Sequence, residues 1–175
     1  LSSASTPAHL QTDPDNRLVW RMPRLRLDIE AWRDSMLAVS GTLDDTIGGP
    51  AVDSLLVESR RTIYFAVHRD VQTESDKLLR LFDFPSPRIG SGGRTPTTIP
   101  QQQLFALNSP FVIERARQLA SRAVTGTAST DQRIARVVQI VMGRHASARE
   151  VALGSEFLGP HPDRSTDGQL STWQQ

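Results

Sequence analysis

The 175-residue sequence contains no cysteine and a single lysine, Lys77. The absence of cysteine excludes disulfides, thiolate catalysis, cysteine-ligated zinc and covalent haem attachment through a Cys-x-x-Cys-His motif within this chain. The sequence also has no run of 18 apolar residues, so it predicts no membrane-spanning helix.

Motifs that carry well-understood chemistry are also absent from the sequence. It has neither a Gly-x-Ser-x-Gly nor a His-Glu-x-x-His pattern, and the Gly48-Gly49-Pro50 turn lacks the spacing and the lysine of a P-loop. The four histidines are far apart in sequence: His9, His68, His145 and His161. We therefore predict no catalytic residue, no metal site and no cofactor in this chain. The sequence favours a protein that is not an enzyme.

Basic and acidic residues are nearly balanced. Lys and Arg number 20 and Asp and Glu number 19, which gives a net charge of +1 and no bulk field to recruit nucleic acid or acidic lipid. The arginine-rich segment Arg17–Arg26 includes Trp20 and allows a nucleic-acid interpretation. Three acidic residues follow closely and can pair with the arginines, so we predict no nucleic-acid partner; they are Asp28, Glu30 and Asp34.

Residues 94–126 predict two helices that meet at a tight elbow. Pro100 suits the first turn of a short helix, which Asn108 closes, and Ser109-Pro110 restarts the chain as an N-cap and first helical residue. Gly126 ends the second helix. Its apolar residues recur mostly at spacings of three and four: Phe111, Val112, Ala116, Leu119, Ala120, Ala123 and Val124.

Capping residues and apolar periodicity predict further helices over residues 28–40, 75–84, 130–142 and 147–158. Asp28 is the expected N-cap of the first, and Ser147 with Glu150 forms a capping box at the last. For the helix that begins near residue 98, the predicted N-cap is Thr97 or Thr98. For the helix that begins near residue 130, it is Thr130 or Asp131.

The best strand candidate is Ile63–Val67. It has no partner of comparable quality, so the alternative is an extended buried segment. The predicted fold is therefore mainly α, with about five helices, the Asn-Ser-Pro elbow and one short extended segment. We expect an extended arm over residues 1–16, a helical domain over 17–159 and a polar tail over 160–175.

Several blocks, in their order and spacing, resemble a planctomycete secreted domain of unknown function. In that family the domain stands at the C-terminal end of large exported proteins that also carry planctomycete-type cytochrome c domains. The matching blocks cover most of residues 13–158 and are Asp13–Asp44, Gly48–Pro50, Arg60–Tyr64, Leu81–Pro87 and Arg94–Phe111, with Gly143, Arg144 and Glu150 near the end. None of these blocks is a catalytic signature.

The resemblance implies a periplasmic or secreted location and a role beside redox modules or extracellular polymers. The first hypothesis is a non-catalytic helical assembly and interaction module of a secreted, cytochrome c-associated protein or complex. Its partners would be protein chains: the missing N-terminal part of the domain, or a haem-bearing subunit.

The alternative hypothesis is part of an extracellular carbohydrate-acting enzyme, with a polar site around the loop of residues 88–98. This hypothesis requires several polar side chains to converge in one cleft with perturbed pKa values. The same side chains are equally consistent with a buried lattice of ion pairs. The candidate polar cluster consists of Asp28, Arg33, Arg60, Arg61, Asp83, Arg94 and Asn108.

Overall fold

The structure, a computed structural model, describes residues 3–23, 25–70, 72–126 and 129–159. These residues contain seven α-helices and one 3-10 helix, and they form no sheet, so the predicted mainly α class is confirmed although the helix count exceeds five. The α-helices are α1 (Pro7–Thr12), α2 (Ile29–Ser40), α3 (Glu74–Leu81), α4 (Pro100–Asn108), α5 (Pro110–Val124), α6 (Thr130–Met142) and α7 (Ala148–Leu158).

Reciprocal side-chain caps begin several of these helices. At α7, Ser147 Oγ accepts the Glu150 N–H at 3.3 Å, and Glu150 Oε2 accepts the Ser147 N–H at 2.9 Å, which confirms the predicted capping box. The N-cap of α6 is Ser129, so the prediction of Thr130 or Asp131 was one or two residues late. Gly143 ends α6 with φ of 66°, a left-handed conformation that favours glycine.

The elbow between α4 and α5 is also confirmed. Ser109 is the sole residue between the two helices; it has an extended conformation and is buried. The threonine cap predicted for α4 was wrong, because Ile99 is the N-cap residue. Thr97 instead donates its hydroxyl to Asp83, and that bond competes with a role in capping.

The predicted strand at Ile63–Val67 was wrong. Residues Thr62–Tyr64 form a 3-10 helix, and the chain then makes one isolated bridge between Phe65 and Val52. Two hydrogen bonds hold this bridge, from Val52 N–H to Tyr64 O at 2.8 Å and from Ala66 N–H to Val52 O at 3.0 Å. The hydrogen bonding between these two segments does not continue into a β-ladder, so Ile63–Val67 forms an irregular segment and not a strand.

The predicted arm, residues 1–16, includes the short helix α1 and is therefore not extended throughout. Thr6 Oγ1 accepts the His9 N–H at 3.4 Å at its start, and Asp13, just beyond its end, is buried. The predicted tail, residues 160–175, lies outside the described residues. The division into arm, helical domain and tail stays a prediction.

The main hydrophobic core lies against one side of α2. Trp32 of α2 stacks on Phe82 with the ring centroids 5.0 Å apart, and Phe105 of α4 meets Phe82 edge-on at 6.0 Å. These contacts hold α2 beside the ends of α3 and α4, where several candidate site residues lie. The buried apolar residues of this core are Ile29, Val52, Leu55, Phe65, Leu78 and Leu79.

The helix α5 packs on α2 and connects it to the hairpin of α6 and α7. Arg122 of α5 donates to the carbonyls of Ala38 and Val39 at 3.1 and 2.9 Å, so its guanidinium binds the C-terminal end of α2. In the hairpin, a Cβ added to Gly154 of α7 would lie 2.9 Å from Cγ2 of Ile134, so the two helices approach closely here.

We predict that Gly154→Ala destabilises the domain by about 1 kcal/mol, because overpacking by about 1–3 kcal/mol exceeds a helix-propensity gain of about 1 kcal/mol. In an Ile134→Ala background the same substitution should instead be stabilising, since the space it needs has been opened. Urea denaturation of the four chains in this double-mutant cycle measures the effect. Gly92→Ala, where an added Cβ meets nothing within 4 Å, is the control. Additive effects would contradict the proposed contact.

Candidate polar site

Three members of the candidate polar cluster meet in one cleft of about 240 Å³. We call it the polar cleft. They are Asp28 at the start of α2, Asp83 just after α3, and Arg94 in the loop that precedes α4. The whole lining consists of Leu25, Arg26, Leu27, Asp28, Phe82, Asp83, Arg94 and Pro96.

Arg94 forms a bidentate ion pair at this cleft, and its main partner is a residue outside the predicted cluster. Its Nη1 and Nη2 donate to Oε2 and Oε1 of Glu30 at 2.7 and 2.6 Å, whereas Asp28 Oδ2 lies 3.9 Å away. The guanidinium also lies 4.8 Å from the ring centroid of Phe84. Hydrogen bonding to Arg94 lowers the pKa of Glu30 below its usual value, so this carboxylate is ionised at neutral pH.

The carboxylate of Asp83 accepts hydrogen bonds from the loop that precedes α4. It accepts the Thr97 N–H at 2.8 Å and the Thr97 hydroxyl at 2.6 Å, and these bonds lower the pKa of Asp83. Arg26 binds the other side of the loop by donating to the Thr97 carbonyl and, at 2.8 Å, to Gln102 Oε1. Asp83 and Glu30 therefore act as ionised acceptors that fix the loop.

Arg33 lies outside the polar cleft and is fully buried. Its Nε donates to Leu55 O at 2.8 Å, its Nη1 to Arg60 O at 2.9 Å and to the Thr62 hydroxyl at 3.1 Å, and its Nη2 to Glu58 O. Burial lowers the pKa of Arg33 to about 10, so the group is still charged at neutral pH. Every nitrogen of the guanidinium thus has a protein acceptor.

Arg60 is held by the Gly48-Gly49-Pro50 turn. It donates to Pro50 O at 2.6 Å and to Gly48 O, and its guanidinium carbon lies 4.1 Å from the ring centroid of Tyr64. The Tyr64 hydroxyl accepts the Gly48 N–H at 3.0 Å. The turn therefore presents carbonyl oxygens to a cation of the same chain.

The two remaining members of the cluster are dispersed. Arg61 is mostly exposed and lies 3.4 Å from Asp34 Oδ2. Asn108 is exposed and donates to Leu104 O at 2.9 Å within α4. The structure thus brings together Asp28, Asp83 and Arg94, and separates them from the other four residues.

Sequence reasoning missed the two residues that complete the site, Glu30 and Thr97. The sequence predicts Glu30 only as one of three acidic residues that can pair with the arginines of residues 17–26, and Thr97 only as a helix cap. A signal for Glu30 was available, because Asp34 lies four residues later and both carboxylates therefore fall on one face of α2. Glu30 and Asp34 also line a second, mostly apolar cavity of about 440 Å³. Its other lining residues include Arg61, Phe65, Leu79 and Phe84.

Metal-binding clusters and membrane-spanning helices are both absent from the described residues. Within 3–23, 25–70, 72–126 and 129–159, no group of three or more His, Asp or Glu side chains is arranged to hold a metal ion. Over the same ranges, no helix combines the length and the apolar character needed to cross a lipid bilayer.

These features define a mainly helical domain whose charged residues bind each other and the backbone. The profile of the family described as "PSD1: Protein of unknown function (DUF1553)" matches residues 1–158, and the chain belongs to that family. No curated protein and no solved structure matches the chain.

We predict that Arg33→Met lowers the free energy of unfolding by about 3 kcal/mol, because it removes the donor from the buried Leu55 carbonyl and from the partly buried carbonyls of Glu58 and Arg60. Arg33→Lys should recover only part of the loss, since an ammonium group lacks the planar fork. Chemical denaturation followed by circular dichroism measures both. Arg136→Met, at an exposed position of α6, is the matched control and should change stability by less than about 0.5 kcal/mol. A similar small loss in Arg33→Met would refute this role.

The Glu30–Arg94 pair predicts a pH dependence of stability. The pKa of Glu30 is lowered in the folded state, so the pair contributes fully above the ordinary pKa of the carboxyl group and is lost as the pH falls through the lowered value. Glu30→Gln should therefore cost about 1 kcal/mol at pH 7 and progressively less in acid. Urea midpoints measured from about pH 7 to pH 3 test this expectation.

Glu156→Gln is the control for that experiment, because it removes an exposed carboxylate that accepts no hydrogen bond from the described residues. A Glu30→Gln cost that stays constant or grows toward low pH would show that the ion pair is not its source.

Proposed function

We propose that this domain is a non-catalytic interaction module of a secreted, cytochrome c-associated protein or complex, and that it docks on a protein partner through α7. The association with export and with cytochrome c is drawn from the sequence resemblance described above. The observation that carries the docking proposal is the exposure of Phe157, whose side chain is 87% accessible near the end of α7.

Phe157 has an apolar neighbour on the same side of the helix. Leu153 lies four residues earlier and is 54% accessible, so the two side chains form one stripe. The packing contact with Ile134 involves Gly154, which is about 100° away from Leu153 around the helix axis. None of the 11 residues of α7 is buried, so the stripe is accessible to a partner.

A groove on a partner protein is the natural complement of such a stripe. Helices commonly present apolar residues at spacings of three and four to a hydrophobic groove. Full burial of a leucine or phenylalanine side chain contributes about 1.5–3 kcal/mol, so these two residues are sufficient to dominate a modest interface.

The electrostatics of the polar cleft favour a structural role over catalysis. A general acid that works at neutral pH needs a raised carboxyl pKa. Within the described ranges, the carboxyl groups whose pKa values are shifted all shift downward, and they are Glu30, Asp44, Asp83, Glu114 and Glu150.

A carbohydrate-acting enzyme is the second candidate, and the meeting of Asp28, Asp83 and Arg94 in the polar cleft is the observation in its favour. In that case Asp83→Asn would abolish turnover of an extracellular glycan while leaving the stability of the α6–α7 hairpin unchanged.

We predict that a Leu153→Asp/Phe157→Asp double variant loses its protein partner without unfolding, because it places charge in an apolar interface. Tagged chains purified from the native source, with haem absorbance and mass spectrometry of the bound proteins, provide the measurement. The matched control is Ile47→Asp/Val57→Asp, whose targets are 92% and 80% accessible in loops. Retention of a haem-bearing chain by the α7 variant, or a wild-type chain that purifies alone, would contradict the proposal.

A further inference from the structure

A second surface of the molecule combines exposed apolar side chains with arginines. We propose that the loop of residues 16–22, the tip loop, docks on an anionic phospholipid surface, with Leu18 and Val19 entering the interface and Arg17 and Arg21 contacting lipid phosphates. This proposal is independent of the protein-docking role of α7.

The tip loop has a fixed shape because two polar side chains bind its backbone. Asp13 accepts the N–H groups of Arg17 and Leu18 at 2.9 and 2.8 Å. Asn16 accepts the Arg21 N–H at 3.1 Å and donates to the Arg21 carbonyl at 2.9 Å. The fold thereby organises a loop that contributes little to the hydrophobic core.

The residues at the tip point into solvent. Leu18 is 78% accessible, Val19 is 59% accessible and Met22 is 48% accessible. Val19 has φ of 54°, a left-handed conformation that is an outlier for a β-branched residue. Glycine or asparagine would make this turn more easily, so the valine at this position carries a cost in backbone strain. A use for that side chain outside the folded domain explains the arrangement.

The backbone of the tip loop is also prepared for a medium of low polarity. The N–H groups of Arg17, Leu18 and Arg21 bind the side chains described above, and the Val19 N–H donates to the Asn16 carbonyl at 3.2 Å. These four bonds reduce the number of N–H groups that would lose water without gaining a partner when the tip enters the membrane interface.

Charge and aromatic character point the same way. Arg17 and Arg21 flank the tip, and residues 16–27 contain no acidic residue. Two carboxylates precede the loop: Asp13 is buried and binds the Arg17 and Leu18 N–H groups, and Asp15 is exposed. Trp20 is half-buried; the guanidinium carbon of Arg21 lies 5.2 Å from its ring centroid, and the ring centroid of His9 lies 5.0 Å from it. Tryptophan favours the membrane–water interface. The net charge of +1 does not oppose binding, because charges farther than about 8 Å from the surface are largely screened.

Sedimentation of the full chain with large unilamellar vesicles tests the proposal. One set is pure phosphatidylcholine, and the other contains about one third phosphatidylglycerol. We expect binding to the anionic vesicles, a loss of about fivefold for each of Arg17→Gln and Arg21→Gln, and near-complete loss for Leu18→Asp/Val19→Asp. The controls Ile47→Asp/Val57→Asp and Leu153→Asp/Phe157→Asp should bind as the wild-type chain does.

Insertion of the tip is tested separately with fluorescence. Because the chain has no cysteine, an environment-sensitive fluorophore can be attached at a single site. The fluorophore on Leu18→Cys should shift its emission to the blue with the anionic vesicles, whereas the fluorophore on Ile47→Cys should not. Failure of the wild-type chain to bind anionic vesicles, or unchanged binding by Leu18→Asp/Val19→Asp, would overturn the proposal and reassign the tip loop to a protein partner.

Discussion

The central part of the structure depends on the hydrogen bonds that the buried guanidinium of Arg33 donates to backbone carbonyls. Residues 42–73 contain neither an α-helix nor a sheet among those described, so their carbonyl groups lack the partners that secondary structure normally supplies. Arg33 supplies three of those partners from the rigid helix α2. With the chain fixed at residues 55–62, Leu55 and Phe65 reach the hydrophobic core.

The same device recurs across the molecule, and it explains why arginine is so much commoner than lysine. Arg60 binds the carbonyls of a glycine-rich turn, Arg26 binds the loop before α4, and Arg122 binds the end of α2. Each joins segments that are distant in sequence. A planar fork can bind two or more acceptors at fixed angles, which an ammonium group does less well.

Local features of the fold could be predicted from sequence, whereas the grouping of polar residues could not. The Ser147–Glu150 cap and the Ser109–Pro110 elbow depend on neighbouring residues and are present as expected. The strand at Ile63–Val67 failed because its pairing partner, Val52, offers one residue instead of a ladder. The Glu30–Arg94 pair joins positions 64 residues apart, so its formation depends on how α2 and α4 pack, which no local pattern specifies.

The single-residue joint between α4 and α5 has a consequence for how sequences of this family can vary in length. A residue added to the first turn of α5 would turn the rest of that helix by about 100° relative to Ser109. Arg122 would then no longer face the carbonyl groups at the end of α2. We therefore expect insertions and deletions to be tolerated in the exposed glycine-rich stretch of residues 90–93 and to be disruptive at the elbow.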